Sequence, residues 1–327
     1  MVSIVSSLPA TDNLDQAHRD AWLRALAVHR SEHEVSRIAQ ALILVQQLHG
    51  DQHLYGVQQL QLALLQTADI LEQLKLDSDS LIVGLLSEAV SSPGYDADLI
   101  RDRFGPTVLQ MTLDIARIRS IAVIGSRDTG EKQTENLRRM LLGLADDVRV
   151  VLVILAKRLQ LMRVLKYLPV EDQRAIAGIT QRIHAPLANR LGVWHLKWEL
   201  EDLSLRFLNP ETYQEIARSL ENNREQRRQF VAQVIDKLYL VCASHDIPAD
   251  ISGRPKHIYS IWKKMQRKHV DFSQIFDVRA VRILVDTVAQ CYEVLGLVHG
   301  MWQPIPSEFD DYICLLYTSD AADEYQR

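Results

Sequence analysis

HDIPADISGRPKHIYSI, residues 245–261, is the stretch where one kind of chain gives way to another. From Leu14 to His245 apolar residues return at three and four positions, as on one face of a helix, with short polar breaks between. The segments read as helices are Val57–Leu76, Asp79–Val90 with Asp79 as its cap, and Asp96–Arg103 closed by Gly105-Pro106. They continue with Val148–Leu168 stopped by Pro169, Glu171–Leu191 bent near Pro186, His195–Leu208 and the long Glu211–Ala243. A polar loop at Ser126–Gly130 and a helix bearing Leu137, Met140, Leu141 and Leu144 lie before Val148. Inside the quoted stretch Pro248 and Gly253 break the period and mark a boundary or a short strand. Beyond it come a basic amphipathic helix, His257–Lys268, a β-branched run, Val278–Val285, another helix, Thr287–His299, and a strand-like piece before Glu308. The order implies an all-helical part followed by an α/β part with a mixed sheet.

With 327 residues the chain is longer than most single cores, which divide beyond roughly 250–300 residues. Hydrophobic residues at 47% and charged residues at 24% describe an ordinary globular chain, and a net charge of −5 excludes a globally basic nucleic-acid binder, so any polyanion site must be local. Met1–Asp12 has no basic segment leading into an apolar one, and the most apolar run, Val148–Ala156, is closed by Lys157 and Arg158 far short of a membrane span; a cytoplasmic protein without membrane contact is expected. Cys242, Cys291 and Cys314 are too widely spaced for a disulfide framework or a zinc site. The pairs His29/His33 and His49/His53 stand four apart without a third ligand and read as surface or packing residues, while Met140, Met162 and Trp198 read as core.

The sharpest local signal is the run from Arg254 to Arg282, with Arg254, Lys256, Lys263, Lys264, Arg267, Lys268, Arg279 and Arg282 against only Asp271 and Asp277. Lys256, Ser260 and Lys264 recur four apart on one helical face, with Arg254 just before the first turn. Cations, a hydroxyl and the amides of a helix start together suit phosphate. The bland alternative is a solvated helix face. Asp277, at a loop end before the β-branched run, is placed to hold Mg²⁺ against phosphates. Arg279 and Arg282 are three apart and cannot share a strand face, and alternation selects Arg279 as the companion of Asp277. Glu308, Phe309, Asp310 and Asp311 form a second polar cluster, and no P-loop or G-x-G-x-x-G is present.

Gly253–Ile261, Phe276–Arg282 and Glu308–Ile313, with His184–Gly192 and Lys197–Leu203 upstream, together resemble the RelA/SpoT family, and the resemblance covers residues 20 to 313. It implies a stringent-response synthetase domain of nucleotidyltransferase type that transfers the pyrophosphoryl group of ATP to the ribose 3′-hydroxyl of GTP or GDP. It implies Arg254, Lys256 and Lys264 around the phosphates, with Ser260 beside them, and Asp277 on Mg²⁺; His257 is either a further phosphate contact or a helix-start polar residue, and Lys264 and the Arg279 chosen by alternation are the catalytic companions of Asp277. The acidic version of Glu308, Asp310 and Asp311 resembles the dedicated synthetases of the RelA branch. Ribosome and uncharged-tRNA binding are implied for a further region of the full-length family member. The same resemblance implies a helical domain in hydrolase position whose manganese ligands fall at Ala63, Ser87, Glu88 and Lys157, with the assisting acidic pair at Ser91 and Ser92. Alanine, serine and lysine do not ligate a transition metal, so no manganese site and no hydrolysis are expected.

The domains so read are 1–200, helical and hydrolase-inactive; 201–250, a helical linker; 251–313, the beginning of the synthetase domain; and 314–327, which departs from the family and reads as a frameshifted or artefactual tail. That tail offers neither the tyrosine that stacks on guanine nor the strand glutamate the resemblance calls for, and Tyr317 and Tyr325 stand in a different context. Two readings of the chain therefore stay open: a GTP pyrophosphokinase fragment, or a catalytically silent nucleotide-binding module.

Overall fold

The structure is a computed structural model describing residues 14–50, 52–54, 56, 58–125, 147–222, 224–275 and 279–305, with single residues 8, 309, 311 and 313; the side chains of 120–125, 222, 224–228, 254, 255, 273 and 279 are outside that description. The loop and helix read at residues 126–146, and the tail 314–327, lie outside the described residues. The chain divides into two compact units, Val2–Tyr213 and Gln214–Arg327.

The first unit is built from α1 (Gln16–Leu26), α2 (Glu32–His49), a two-residue hairpin β1 (His53–Leu54) and β2 (Gln58–Gln59), α3 (Leu60–Gln73), α4 (Ser78–Leu86), α5 (Ala97–Phe104) and α6 (Pro106–Gly125). It continues with α7 (Val148–Val164), α8 (Val170–Ile179), α9 (Ala185–Arg190) and α10 (Trp194–Leu208), and ends within α11 (Pro210–Asn222). Polar side chains set the helix starts. Asp77 caps α4 through the amide of Ser80, so the cap lies two residues earlier than the sequence suggests, and Asp79 instead pairs with Arg37 at 2.8 Å. Ser31 and Glu34 form a capping box on α2. The helix expected from Val57 begins at Leu60, because Gln58 and Gln59 are committed to pairing with Leu54 and His53.

Every residue of α3 from Leu60 to Leu71 is buried, which makes it the central helix of the unit. Leu62, Leu64, Leu65, Ile70 and Leu71 pack with Leu81, Ile82 and Leu85 of α4 and Val150, Val153 and Leu155 of α7 in one core; each such side chain contributes about 1.5–3 kcal/mol. The bend expected near Pro186 is a π-helical turn at Thr180–His184, where the amide of Ala185 reaches back five residues to Thr180. Pro186 has no N–H for the carbonyl of residue 182, and the widened turn accommodates the loss before the ring is reached.

The second unit holds the rest of α11, α12 (Arg224–Ser244), β3 (Asp250–Pro255), α13 (Ile258–Lys268), β4 (Arg279–Leu284) and α14 (Val288–Met301). The long helix read from Glu211 is thus two helices. β3 and β4 are antiparallel, with Asp250 opposite Leu284 and Pro255 opposite Arg279. Among the described residues this α/β unit contains only that antiparallel pair, not yet a mixed sheet, and residues 303–305, read as strand-like, are irregular. Its core joins Leu238 and Cys242 of α12 to Ile247, Ile251, Val281, Ile283 and Val294. Cys242 is buried, which pushes its thiol pKa up and makes it a packing residue.

Candidate functional site

β3 owes its position to two contacts with α12. The Tyr239 hydroxyl accepts the Ile251 amide at 3.1 Å and donates to the Ile251 carbonyl at 3.3 Å. A Cβ on Gly253 would stand 2.8 Å from Val231 Cγ1, so only glycine lets the strand lie this close to the helix. From Pro255 the chain passes directly into α13, with His257 as its extended N-cap residue (φ −71°, ψ 146°). His257 is buried and its side chain makes no capping bond to the helix. Lys256, Ser260 and Lys264, the set spaced by four, are each half-buried, whereas Lys263, Arg267 and Lys268 are exposed. The four-apart set therefore sits at the rim of the unit, and the other cations form its solvated side.

The strand register sorts the arginines in a way that one strand alone does not show. Arg254 lies opposite Ala280, and the exposed Arg282 lies opposite Ser252, two positions along the ladder. By alternation positions 252, 254, 280 and 282 share a face, while 279 falls with Val281 and Ile283, which pack into the core. Alternation along β4 alone selects Arg279, whereas across the ladder Arg282 shares the face of position 254. Asp277, Glu308 and Asp310 lie outside the described residues. Asp311 is exposed and accepts the amide of Ile313 at 3.0 Å and the hydroxyl of Tyr292 at 3.4 Å.

In the helical unit the four positions read as a degenerate metal site are set on packed elements. Ala63 is buried in α3; Ser87 is buried at the end of α4 with its hydroxyl donating to the Gly84 carbonyl at 2.9 Å. Lys157 of α7 donates to Glu88 Oε1 at 2.6 Å and reaches the Ser87 carbonyl at 3.5 Å. Arg119 of α6 takes the other oxygen of Glu88 and also donates to Ser91 Oγ. Burial alone would push the Glu88 carboxyl up, but Lys157 and Arg119 outweigh it and hold the pKa below the usual glutamate value. Burial lowers the Lys157 pKa, against the pull of Glu88. The single carboxylate retained at this place is thus engaged on both oxygens by cations.

Sequence reasoning missed three further features of this centre. Gln160 of α7 donates to Gln58 Oε1 at 2.6 Å and Gln58 to Gln66 Oε1 at 2.9 Å, a buried amide cluster joining the hairpin, α3 and α7. His49, paired with His53 only by spacing in the sequence, is 4% exposed and held by Gln52 Oε1 at 3.3 Å. His29 goes instead to Glu72 at 2.5 Å. No group of three or more potential metal ligands occurs among the described residues. Signals for these features existed only as isolated polar residues in apolar helices.

Residues 41–194 match the model of the HD domain, and residues 253–326 match that of the region found in RelA / SpoT proteins. The chain is 41% identical over 248 residues to a GTP pyrophosphokinase of Photobacterium angustum and 40% identical over 249 residues to one of Escherichia coli, in each case across 75% of this chain and 33% of the relative. A GTP pyrophosphokinase of Myxococcus xanthus is 38% identical over 251 residues, 77% of this chain and 33% of the relative. The chain belongs to the RelA/SpoT family. As a RelA/SpoT chain it spans about a third of the length of these relatives. The HD span takes in Ala63, Ser87, Glu88 and Lys157, and the second span takes in the basic run and continues to residue 326, through the segment set apart in the sequence reading. Among the described residues no helix is long and apolar enough to cross a membrane.

Proposed function

We propose that residues 253–282 form the phosphate-holding part of a GTP pyrophosphokinase site. The observation that carries this reading is the β3–α13 junction, where a strand ends in Arg254, Pro255 and Lys256 and a helix begins with Ser260 and Lys264 on its rim, inside the RelA/SpoT span. In the reaction the ribose 3′-oxygen of GTP or GDP attacks the β-phosphorus of ATP; the bond from that phosphorus to the α-β bridging oxygen breaks, AMP leaves and the 3′-hydroxyl proton is lost. Negative charge builds on the bridging and terminal oxygens, and fixed cations neutralise it without having to reorganise. Arg254, Lys256 and Lys264 take that role, Ser260 and His257 orient the phosphates, and Arg279, two residues after Asp277, accompanies it. Asp277 supplies the hard carboxylate oxygen that Mg²⁺ prefers, and the ion when bound shields the phosphate charge. Glu308, Asp310 and Asp311 bound the nucleotide side and give the acidic character of a one-way synthetase.

The helical unit carries no hydrolysis in this reading, because Lys157 occupies Glu88. The whole protein acts in the cytoplasm and engages the ribosome and uncharged tRNA through a region beyond these residues. A second reading, nucleotide binding without synthesis, is favoured by residues 314–327, which offer neither the stacking tyrosine nor the glutamate of the family resemblance. The test follows AMP and pppGpp from ATP and GTP with Mg²⁺, in this chain and in Asp277→Ala. Turnover that falls about 100-fold or more in the variant supports synthesis. ATP binding without turnover in either chain supports the second reading, and absence of both overturns the assignment of residues 253–282 to nucleotide phosphates.

A further inference from the structure

The charged centre of the helical unit has more donors than acceptors. Lys157 has three N–H donors and Arg119 has five. Their contacts among the described residues are Glu88 Oε1 and the Ser87 carbonyl for Lys157, and Glu88 Oε2 and Ser91 Oγ for Arg119. Two cations therefore share one carboxylate, leaving a net positive charge and unused donors on both. Arg119 is 45% exposed, so its unused donors are open to solvent, while Lys157 at 22% and Glu88 at 17% are half-buried. Ser91 is exposed and accepts from Arg119, which turns its own hydroxyl hydrogen elsewhere. The hydroxyl of its neighbour Ser92 ties this corner to the Leu48 carbonyl at 2.9 Å, beside His49.

We propose that Lys157, Arg119 and Ser91 form a binding site for a phosphate group, either the free anion or a phosphate monoester of a larger molecule. A guanidinium, an ammonium and a hydroxyl about one carboxylate supply the donor types that hold a small tetrahedral oxyanion. Phosphate oxygens meet the unused donors, and Glu88 remains between the two cations as the one repelling group. The site lies within the helical unit.

His49 supplies a reporter placed beneath the site. Its Nε2 is buried without a hydrogen-bond partner, and the ring lies within electrostatic reach of both Glu88 and Lys157. Burial, the larger effect, keeps the ring pKa low, with Lys157 adding to that and Gln52 and Glu88 opposing it. An added anion above Lys157 favours the protonated ring and moves the His49 titration upward.

The experiment follows histidine ring resonances of the 327-residue chain by NMR, with His49 assigned from a His49→Gln variant, during titration with inorganic phosphate. Sodium chloride at matched ionic strength is the control. The expected result is a saturable rise in the His49 titration midpoint with phosphate, and an affinity weakened about tenfold in Arg119→Gln. That side chain is half exposed, so the variant keeps its fold, and circular dichroism verifies it. Glycerol phosphate acting as well as inorganic phosphate assigns the site to a monoester; action by inorganic phosphate alone assigns it to the free anion. A His49 midpoint that phosphate leaves unmoved, an equal shift with chloride, or Arg119→Gln binding like the parent chain would overturn the site.

Discussion

The two units handle charge in opposite ways. In the helical unit the buried ionic groups answer one another: Glu88 with Lys157 and Arg119, Glu199 with Arg163 at 2.7 Å, Glu72 with Arg30 through its Nε at 2.9 Å. In the α/β unit the run from Arg254 to Arg282 sets eight basic residues against Asp271 and Asp277, with the outer cations in solvent. The first pattern holds helices together without a metal. The second gathers cations along one short stretch of sequence, a pattern suited to an external anion. The helical unit is thus paired at this centre, while the run of cations lies elsewhere in the chain.

The largest effect that tests this contrast is expected at the ion pair. Lys157→Met leaves Glu88, 17% exposed, with Arg119 alone; breaking a largely buried pair costs about 3 kcal/mol, toward the lower end because both groups keep some solvent. Urea unfolding of the helical unit should show that loss, and Lys157→Met combined with Glu88→Leu should restore most of it, since an apolar pair needs no compensation. A double variant no better than the single one would mean that the pair contributes more than mutual neutralisation. The contrast would then fail, because Glu88 would have a role of its own.

A smaller effect tests the other unit. Gly253→Ala drives a methyl to within 2.8 Å of Val231 Cγ1, a short branched side chain on α12 that cannot swing away. Such overpacking costs about 1–3 kcal/mol. Because the clash is confined to the α/β unit, the expected outcome is an earlier unfolding transition there with the helical unit unchanged, seen by hydrogen exchange at Leu238 and Ile251 against Leu65 and Leu85. Equal loss in both units would show that they do not unfold independently.

How much of this was legible in the sequence follows from the range of the interactions. The helices, the break at His245–Gly253 and the two strands were readable because periodicity and Pro/Gly punctuation are local. Asp77 as the cap of α4 was within reach but competed with Asp79 two residues on, and only the hydrogen bond to Ser80 decides between them. The β1–β2 hairpin was hidden because Gln58 and Gln59 continue the polarity of the helix that follows. The degenerate centre was readable only through family resemblance, position by position. That Lys157 takes Glu88, that Arg119 joins it from α6, and that Gln58, Gln66 and Gln160 meet in the core are long-range facts with no periodic signature. Which positions of β4 share a face with 254 was hidden for a related reason: the register is set by the other strand, and alternation along β4 says nothing about it.

The smallest effect expected is the pH dependence of the ion pair. Glu88 has a folded pKa below its ordinary value of 4.5, since Lys157 and Arg119 overcome the opposing push of burial. A carboxyl with a depressed folded pKa contributes stability that is complete above the unfolded value and disappears as pH falls through the folded one. The difference in unfolding free energy between the parent chain and Glu88→Gln should therefore be greatest near neutrality and shrink below pH 4.5. Comparison with the variant is needed because other carboxyls act in the same window; the Ser31 hydroxyl, Ser78 and Arg30 pull half-buried Glu34 down to about 2. A difference from Glu88→Gln that stays flat from pH 7 to pH 3.5 would mean that Glu88 is not held by these cations in solution, and the distinction between a self-paired helical unit and a cation-rich α/β unit would lose its main support.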